Sequence, residues 1–166
     1  DTIRAPFRLA PGVTLAEAAG TVAALARRLP PVQCQGLHLE NLHGFLALTP
    51  KGCEAALLEL GAAVVEGTNP LRAALTEDEN ARRPPDQPSP PQRELLDLWG
   101  YPQVMEEFRF HLTLTDRLPD PAPVLQVLGP YFAPVLPTPF VIQALCLFGE
   151  DSGGRFHLLH RHALTG

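Results

Sequence analysis

The sequence predicts an α+β fold made of two similar halves, and three observations carry that reading. Apolar residues recur at helical spacing over 15–29 and again over 53–66, whereas 104–115 alternates with a period of two. The order strand, helix, hairpin occurs twice, first over 2–49 and again over 104–160. Within each half, short turns rich in Gly, Asn and Asp join neighbouring strands, which makes their pairing antiparallel.

Each element has its own local reason. Residues 2–9 alternate weakly and end at the turn signal Ala10-Pro11-Gly12, so a strand is expected there. Thr14 with Glu17 three residues on is a capping box, and apolar positions 15, 18, 22, 25 and 29 continue it as a helix until Pro30-Pro31. Strands are expected over 32–39 and 44–49, with the turn at 41–44. A second helix over 53–66 has apolar positions 56, 57, 60, 63 and 64 and is expected to close at Gly67. A shorter helix is expected over 71–81. Residues 83–91 contain five prolines, which forbid a helix or central strand. A helix over 91–99 follows, with Pro91 in its first turn and Gly100 just past its end. The strand over 104–115 sets Phe108, Phe110, Leu112 and Leu114 on one face and Glu107, Arg109, His111, Thr113 and Thr115 on the other. A helix over 124–132, a connector over 134–139 and a hairpin of 140–148 with 155–160 complete the chain. The resulting organisation is one two-lobed domain: a first lobe over about 1–50, linking helices over about 51–100, and a second lobe over about 101–166.

Composition narrows the function. With 166 residues and 45% apolar content the chain can bury an ordinary core, and no apolar run approaches the ~18–20 residues of a membrane span. The 13 basic and 18 acidic residues leave a net charge of −5, which disfavours long nucleic acid as a partner. A small phosphorylated ligand stays compatible, because a cleft can be locally positive on an acidic protein. Cys34, Cys53 and Cys146 form no C-x-x-C pattern, so three buried, reduced thiols in a cytoplasmic protein are expected, with no metal and no cofactor. Phosphate-cradling Gly-x-x-x-x-Gly-Lys and dinucleotide Gly-x-Gly-x-x-Gly loops are absent from the sequence.

The chemistry concentrates on one strand. His111, Thr113 and Thr115 recur at i, i+2, i+4, so they share a face at intervals of about 6.5–7 Å. An imidazole can pass a proton and a hydroxyl can hold a phosphoryl oxygen. Elsewhere, His160 and His162 would share a strand face, a weak metal pair that polar outward packing explains as well. His38 and Glu40 alternate with Leu37 and Leu39, as on a solvated hairpin face, and Trp99 and Tyr101 are expected as packing residues.

The run Glu106-Glu107-Phe108-Arg109-Phe110-His111-Leu112-Thr113-Leu114-Thr115, preceded by Trp99-Gly100-Tyr101-Pro102, resembles the 2H phosphoesterase superfamily, within it a branch named for phosphonate metabolism. That superfamily carries two His-x-Thr/Ser motifs, one per lobe of a duplicated α/β fold. His111-Leu112-Thr113 is similar to the second. Thr2-Ile3-Arg4-Ala5-Pro6-Phe7 is similar to the text that follows the first histidine, so the chain is expected to begin one residue after it, with an upstream segment missing. The likeness runs from residue 1 to about residue 162. It implies antiparallel sheets lining a central cleft with helices outside. It also implies metal-independent cleavage of a small cyclic or activated phosphodiester, with one histidine as base and the other as acid. Catalytic roles carry over to His111, Thr113 and Thr2. Strand parity adds Arg4, Arg109 and Thr115 as substrate-binding candidates. Two other readings stay open: a module that binds phosphate esters without turnover, and a processor of RNA 2′,3′-cyclic phosphate ends.

Overall fold

In the computed structural model, which describes residues 2–81 and 89–166, the chain divides into two units, each assembled from separated segments. Of the described residues, the first unit draws on 2, 32–57 and 109–142, and the second on 3–31, 58–81, 89–108 and 143–166. Both are α+β, with antiparallel pairing throughout.

The first unit is organised around one strand. β3 (Phe45–Lys51) lies between β2 (Gly36–Leu42) and β4 (Leu112–Thr113). The β2–β3 hairpin turns on His43 and Gly44, with φ of 52° and 101°. Positive φ at both positions matches the right-handed strand twist, and Asn41 Oδ1 accepts the Gly44 N–H at 2.9 Å. Register sets the two faces of the sheet. Leu39 opposite Leu48 and Leu48 opposite Leu112 build an apolar face. His38 opposite Thr49, and Glu40 and Thr113 both opposite Ala47, build a polar one. Leu46 and Ala47 are 0% exposed. α5 (Ala122–Phe132) packs against β2. A separate two-stranded ladder joins β1 (Val32–Cys34) to β5 (Phe140–Ile142).

The second unit holds α1 (Leu15–Ala26) against the hairpin of β6 (Ala144–Glu150) and β7 (Phe156–Ala163). The Thr14–Glu17 capping box forms, so the start of α1 is where the sequence placed it. α2 (Glu54–Thr68) begins in the first unit and runs on into the second. α3 (Glu77–Ala81) and α4 (Pro90–Trp99) complete the helices. α4 stops at Gly100, whose φ of 76° is the left-handed region that terminates helices. Val65, Leu95 and Val104 form a cluster on which Trp99, Tyr101 and Met105 pack, as expected of the two aromatic residues.

Several expectations are corrected. Residues 2–9 make no strand; their one ladder contact is the Leu9–Arg72 bridge, and Pro6 offers no N–H. The first half therefore opens without the strand that its predicted repeat requires. α1 ends at Ala26 rather than 29, because the Ala26 and Leu29 carbonyls turn to the Thr165 and Gly166 N–H groups. Gly67 does not close α2. It sits inside the helix where a Cβ would come 2.6 Å from Leu25 Cδ2, so it is a packing glycine. The helix over 71–81 shrinks to α3. The predicted strand 32–39 splits, since β1 leaves to pair with β5. The strand over 140–148 splits likewise into β5 and β6.

The long strand over 104–115 shortens to β4, preceded by a 3-10 turn at Met105–Glu107. Leu114 N–H bonds Leu46 O, so even-numbered β3 residues face β4; Pro50 belongs to that set and has no N–H to extend the ladder. The cysteines also differ. Cys34 and Cys53 are joined as a disulfide and Cys146 is exposed, so there are not three buried thiols. The Gln35 N–H to Lys51 O bond sets β1's end beside the start of α2, a juxtaposition that cysteine spacing does not reveal. No helix among the described residues is long and apolar enough to cross a membrane. Most of the proline-rich stretch 83–91 lies outside the described residues.

Two predictions follow from this packing. Leu46→Ala should destabilise the protein by about 2–5 kcal/mol in urea unfolding; a loss below about 1 kcal/mol would show that β3 is not the core strand. In the second unit, hydrogen bonds from Arg8 and then Thr76 hold the Glu79 carboxyl down at about 2. A carboxyl lowered on folding stabilises above its ordinary 4.5 and loses that contribution as pH falls toward 2. Glu79→Gln should therefore lower the melting temperature near neutral pH and match the parent at pH of about 2. An equal gap at both pH values would contradict the assignment.

Candidate functional site

Two strands and the segment after β4 build the site, all within the first unit. The Ala47–Thr113 pairing turns Thr113 to the polar face, where it is exposed. Phe45, Thr113, Thr115, Asp116 and Arg117 line a cavity of about 280 Å³. Gly44 makes room for Arg117: a Cβ there would lie 3.1 Å from Arg117 Cγ, so the arginine stem rests against the bare turn. Leu118 N–H donates to Gly44 O at 2.7 Å and fastens the segment to the hairpin tip.

His111 precedes β4, and its ring lies 5.6 Å from that of Phe45, centroid to centroid. Its Nδ1 is 2.8 Å from Arg109 O. A carbonyl only accepts, so Nδ1 carries the hydrogen and Nε2 is left with the lone pair. The backbone thereby presets the tautomer with a free basic nitrogen.

The other expected residues divide. Thr115 borders the cavity, but its Oγ1 accepts the Leu46 N–H at 3.0 Å and so ends the β3–β4 ladder in place of a backbone carbonyl. Thr2 is exposed and belongs to the first unit. Arg109 is exposed, and its carbonyl serves His111. Arg4 is in the second unit, where Nη2 donates to Asn69 Oδ1 at 3.3 Å and the guanidinium lies over Phe7. Burial, then the charge of Arg72, pulls the Arg4 pKa down to about 10, so it stays cationic at neutral pH. A recess of about 200 Å³ in the same unit is bordered by Arg72 and Asp97. Arg72 there is engaged by Asn69 Oδ1 and by the Ala73 and Leu98 carbonyls.

Reading the strand alone missed two features. Arg117 lies two residues past Thr115, but its return to the hairpin tip is tertiary. The second is a hydrogen-bonded trio on the polar face. Thr49 Oγ1 donates to Glu40 Oε2 at 2.7 Å and lies 3.1 Å from His38 Nε2. His38 Nε2 is 3.4 Å from Glu40 Oε2. The i, i+2 spacing of His38 and Glu40 was visible; their register with Thr49 was not. Near the C-terminus, the His160 and His162 rings stack 5.8 Å apart, and His157 is held by Asp151 Oδ2 at 2.7 Å. No group of three or more His, Cys, Asp or Glu suited to a metal ion occurs among the described residues.

Comparison with known proteins adds three findings. A family model described as "Protein of unknown function (DUF1045)" matches residues 2–157. The chain is 34% identical over 168 residues to a protein of Laribacter hongkongensis (strain HLHK9) named ribose 1,5-bisphosphate phosphokinase PhnN, covering 95% of this chain but 37% of that one. It is 35% identical over 117 residues to a protein of the same name from Janthinobacterium sp. (strain Marseille), covering 70% of this chain and 26% of that one. This chain therefore matches only about a third or less of either relative's length. No solved structure matches at a significant level.

The two hydroxyls of the site should separate by experiment. Thr115→Val removes the acceptor of a buried N–H and should cost about 1–3 kcal/mol in urea unfolding. Thr113→Val, at an exposed position, should stay within about 0.5 kcal/mol. Equal losses would mean that Thr115 does not close the ladder.

Proposed function

The chain belongs to the family described as "Protein of unknown function (DUF1045)", and from that premise we propose that it is a phosphoesterase acting on a small cyclic or otherwise activated phosphodiester. The observation that carries the reading is the preset tautomer of His111, whose free Nε2 stands on the segment that leads into the Thr113 cavity. Nε2 takes a proton from the attacking water or hydroxyl as its oxygen bonds to phosphorus; the ester P–O bond breaks, and the imidazolium or solvent returns a proton to the leaving oxygen. The Thr113 hydroxyl and the Arg117 guanidinium hold phosphoryl oxygens as charge builds on them. Thr2 adds a hydroxyl in the role that the 2H phosphoesterase resemblance implies, and Arg109 a positive charge at the edge. The duplicated two-lobed 2H fold is part of the same proposal.

The relatives' name supports the substrate class, since it specifies a phosphorylated ribose. Their kinase activity is not carried over. The chain spans 37% of the Laribacter protein and has no Gly-x-x-x-x-Gly-Lys loop. A role in the breakdown of phosphonates fits a sugar phosphate intermediate and rests on the resemblance.

The test is turnover of 2′,3′-cyclic nucleotides and of a cyclic ribose phosphate by the parent and by His111→Gln. Loss of general base catalysis should lower kcat by roughly 10²–10⁴-fold, with ester binding kept within a few-fold. Equal turnover by the variant would remove His111 from the mechanism. Binding without turnover by the parent would leave a phosphate-ester binding module, which the same cavity serves.

A further inference from the structure

The polar face of the β2–β3–β4 sheet continues past the cavity. In register, Glu40 and Thr113 lie on opposite sides of Ala47, and His38 pairs with Thr49 one step further along β2. Adjacent strands are about 4.8 Å apart, so Glu40 and Thr113 are separated by about 10 Å across the sheet. Ala47 between them is fully buried, so a ligand that joins the two positions rests on the side chains around it and not on its methyl group.

The trio has spare capacity on one side only. Thr49 is 8% exposed and has given its hydrogen to Glu40 Oε2. The side chains of His38 and Glu40 are 33% and 44% exposed. Among the described residues, Glu40 Oε1 has no hydrogen-bond partner, and an ionised carboxylate only accepts. A phosphate oxygen brought to it would meet like charge. Hydroxyl groups would meet an acceptor held in place by Thr49, with an imidazole nitrogen alongside.

We propose that Glu40 and His38 form a subsite for the vicinal hydroxyls of a sugar phosphate, whose phosphate lies at Thr113 and Arg117. This rests on the reading of the Thr113 cavity as a phosphate-ester site and adds the substrate's class and direction. About 10 Å spans a phosphate and an adjoining pentose ring. The carboxylate orients the ligand by accepting from its hydroxyls, while Arg117 offsets the charge of Asp116 at the phosphate end. Ligands with the same anion but no hydroxyls lose these bonds and leave the trio solvated.

The experiment compares two probes, ribose 5-phosphate and n-butyl phosphate, by calorimetry on the whole chain. The parent should bind ribose 5-phosphate at least about tenfold more tightly, the effect of one or two hydrogen bonds to a charged acceptor. Glu40→Ala should bring the ratio close to one by weakening ribose 5-phosphate alone. Arg117→Ala should weaken both probes by a similar factor and leave the ratio standing. Glu40→Gln, which keeps an acceptor for the Thr49 hydroxyl, gives a folded variant and should fall between parent and Glu40→Ala. Equal affinities in the parent, or a ratio that survives Glu40→Ala, would overturn the hydroxyl subsite while leaving the phosphate site intact. Binding of neither probe by the parent would overturn both.

Discussion

The backbone of β3 is shared between two neighbours, and the first unit is arranged around that sharing. Odd-numbered β3 residues direct their N–H and C=O groups to β2 and even-numbered ones to β4, as the Leu46 O bond to Leu114 N–H shows. A strand placed so has no free edge and buries its middle residues, here Leu46 and Ala47. It also leaves no freedom of register, because a one-residue slip would turn Leu46 and Leu48 to the polar face. Where the ladder cannot continue, the chain uses side-chain chemistry. Thr115 Oγ1 takes the Leu46 N–H at one end, and at the other Pro50 has no N–H that needs an acceptor.

That register assembles the chemistry. Thr113, Ala47 and Glu40 come into one row from three strands, and His38 meets Thr49 in the next. The hairpin tip contributes as well. Gly44 permits the tight turn and leaves space for the Arg117 stem, so one residue serves both the hairpin and the cavity. The cavity carries both signs of charge, Asp116 beside Arg117, and Glu40 adds a second carboxylate on β2. His111 needs no carboxylate to select its tautomer, because the Arg109 carbonyl does so from two residues away.

The second unit is stabilised differently. Its core combines α1 with the β6–β7 hairpin, and a cluster of Val65, Leu95 and Val104 is roofed by Trp99 and Tyr101. Helix ends there are closed by local devices: capping boxes at Thr14 and Ser89, and a left-handed glycine at Gly100. Gly67 lets α2 approach Leu25 of α1 more closely than any side chain would allow.

What the sequence determined by itself is local. The Thr14–Glu17 box, the Gly100 stop and the packing roles of Trp99 and Tyr101 were legible because each depends on residues a few positions apart. The His111–Thr113 spacing was legible for the same reason. The tertiary structure decided whatever needed a partner far along the chain. Alternation over 104–115 predicted a long strand, yet strand length depends on a neighbour's donors, and Pro50 withholds one. Residues 2–9 alternate but have little to pair with among the described residues. Cys34 and Cys53 look like isolated thiols until β1 and the start of α2 are side by side. Glu40, His38 and Arg117 acquire a shared place only through the pairing of β2 and β4 with β3. Hydrogen-bond partners and strand register are properties of pairs of segments, and a single run of sequence contains one member of each pair.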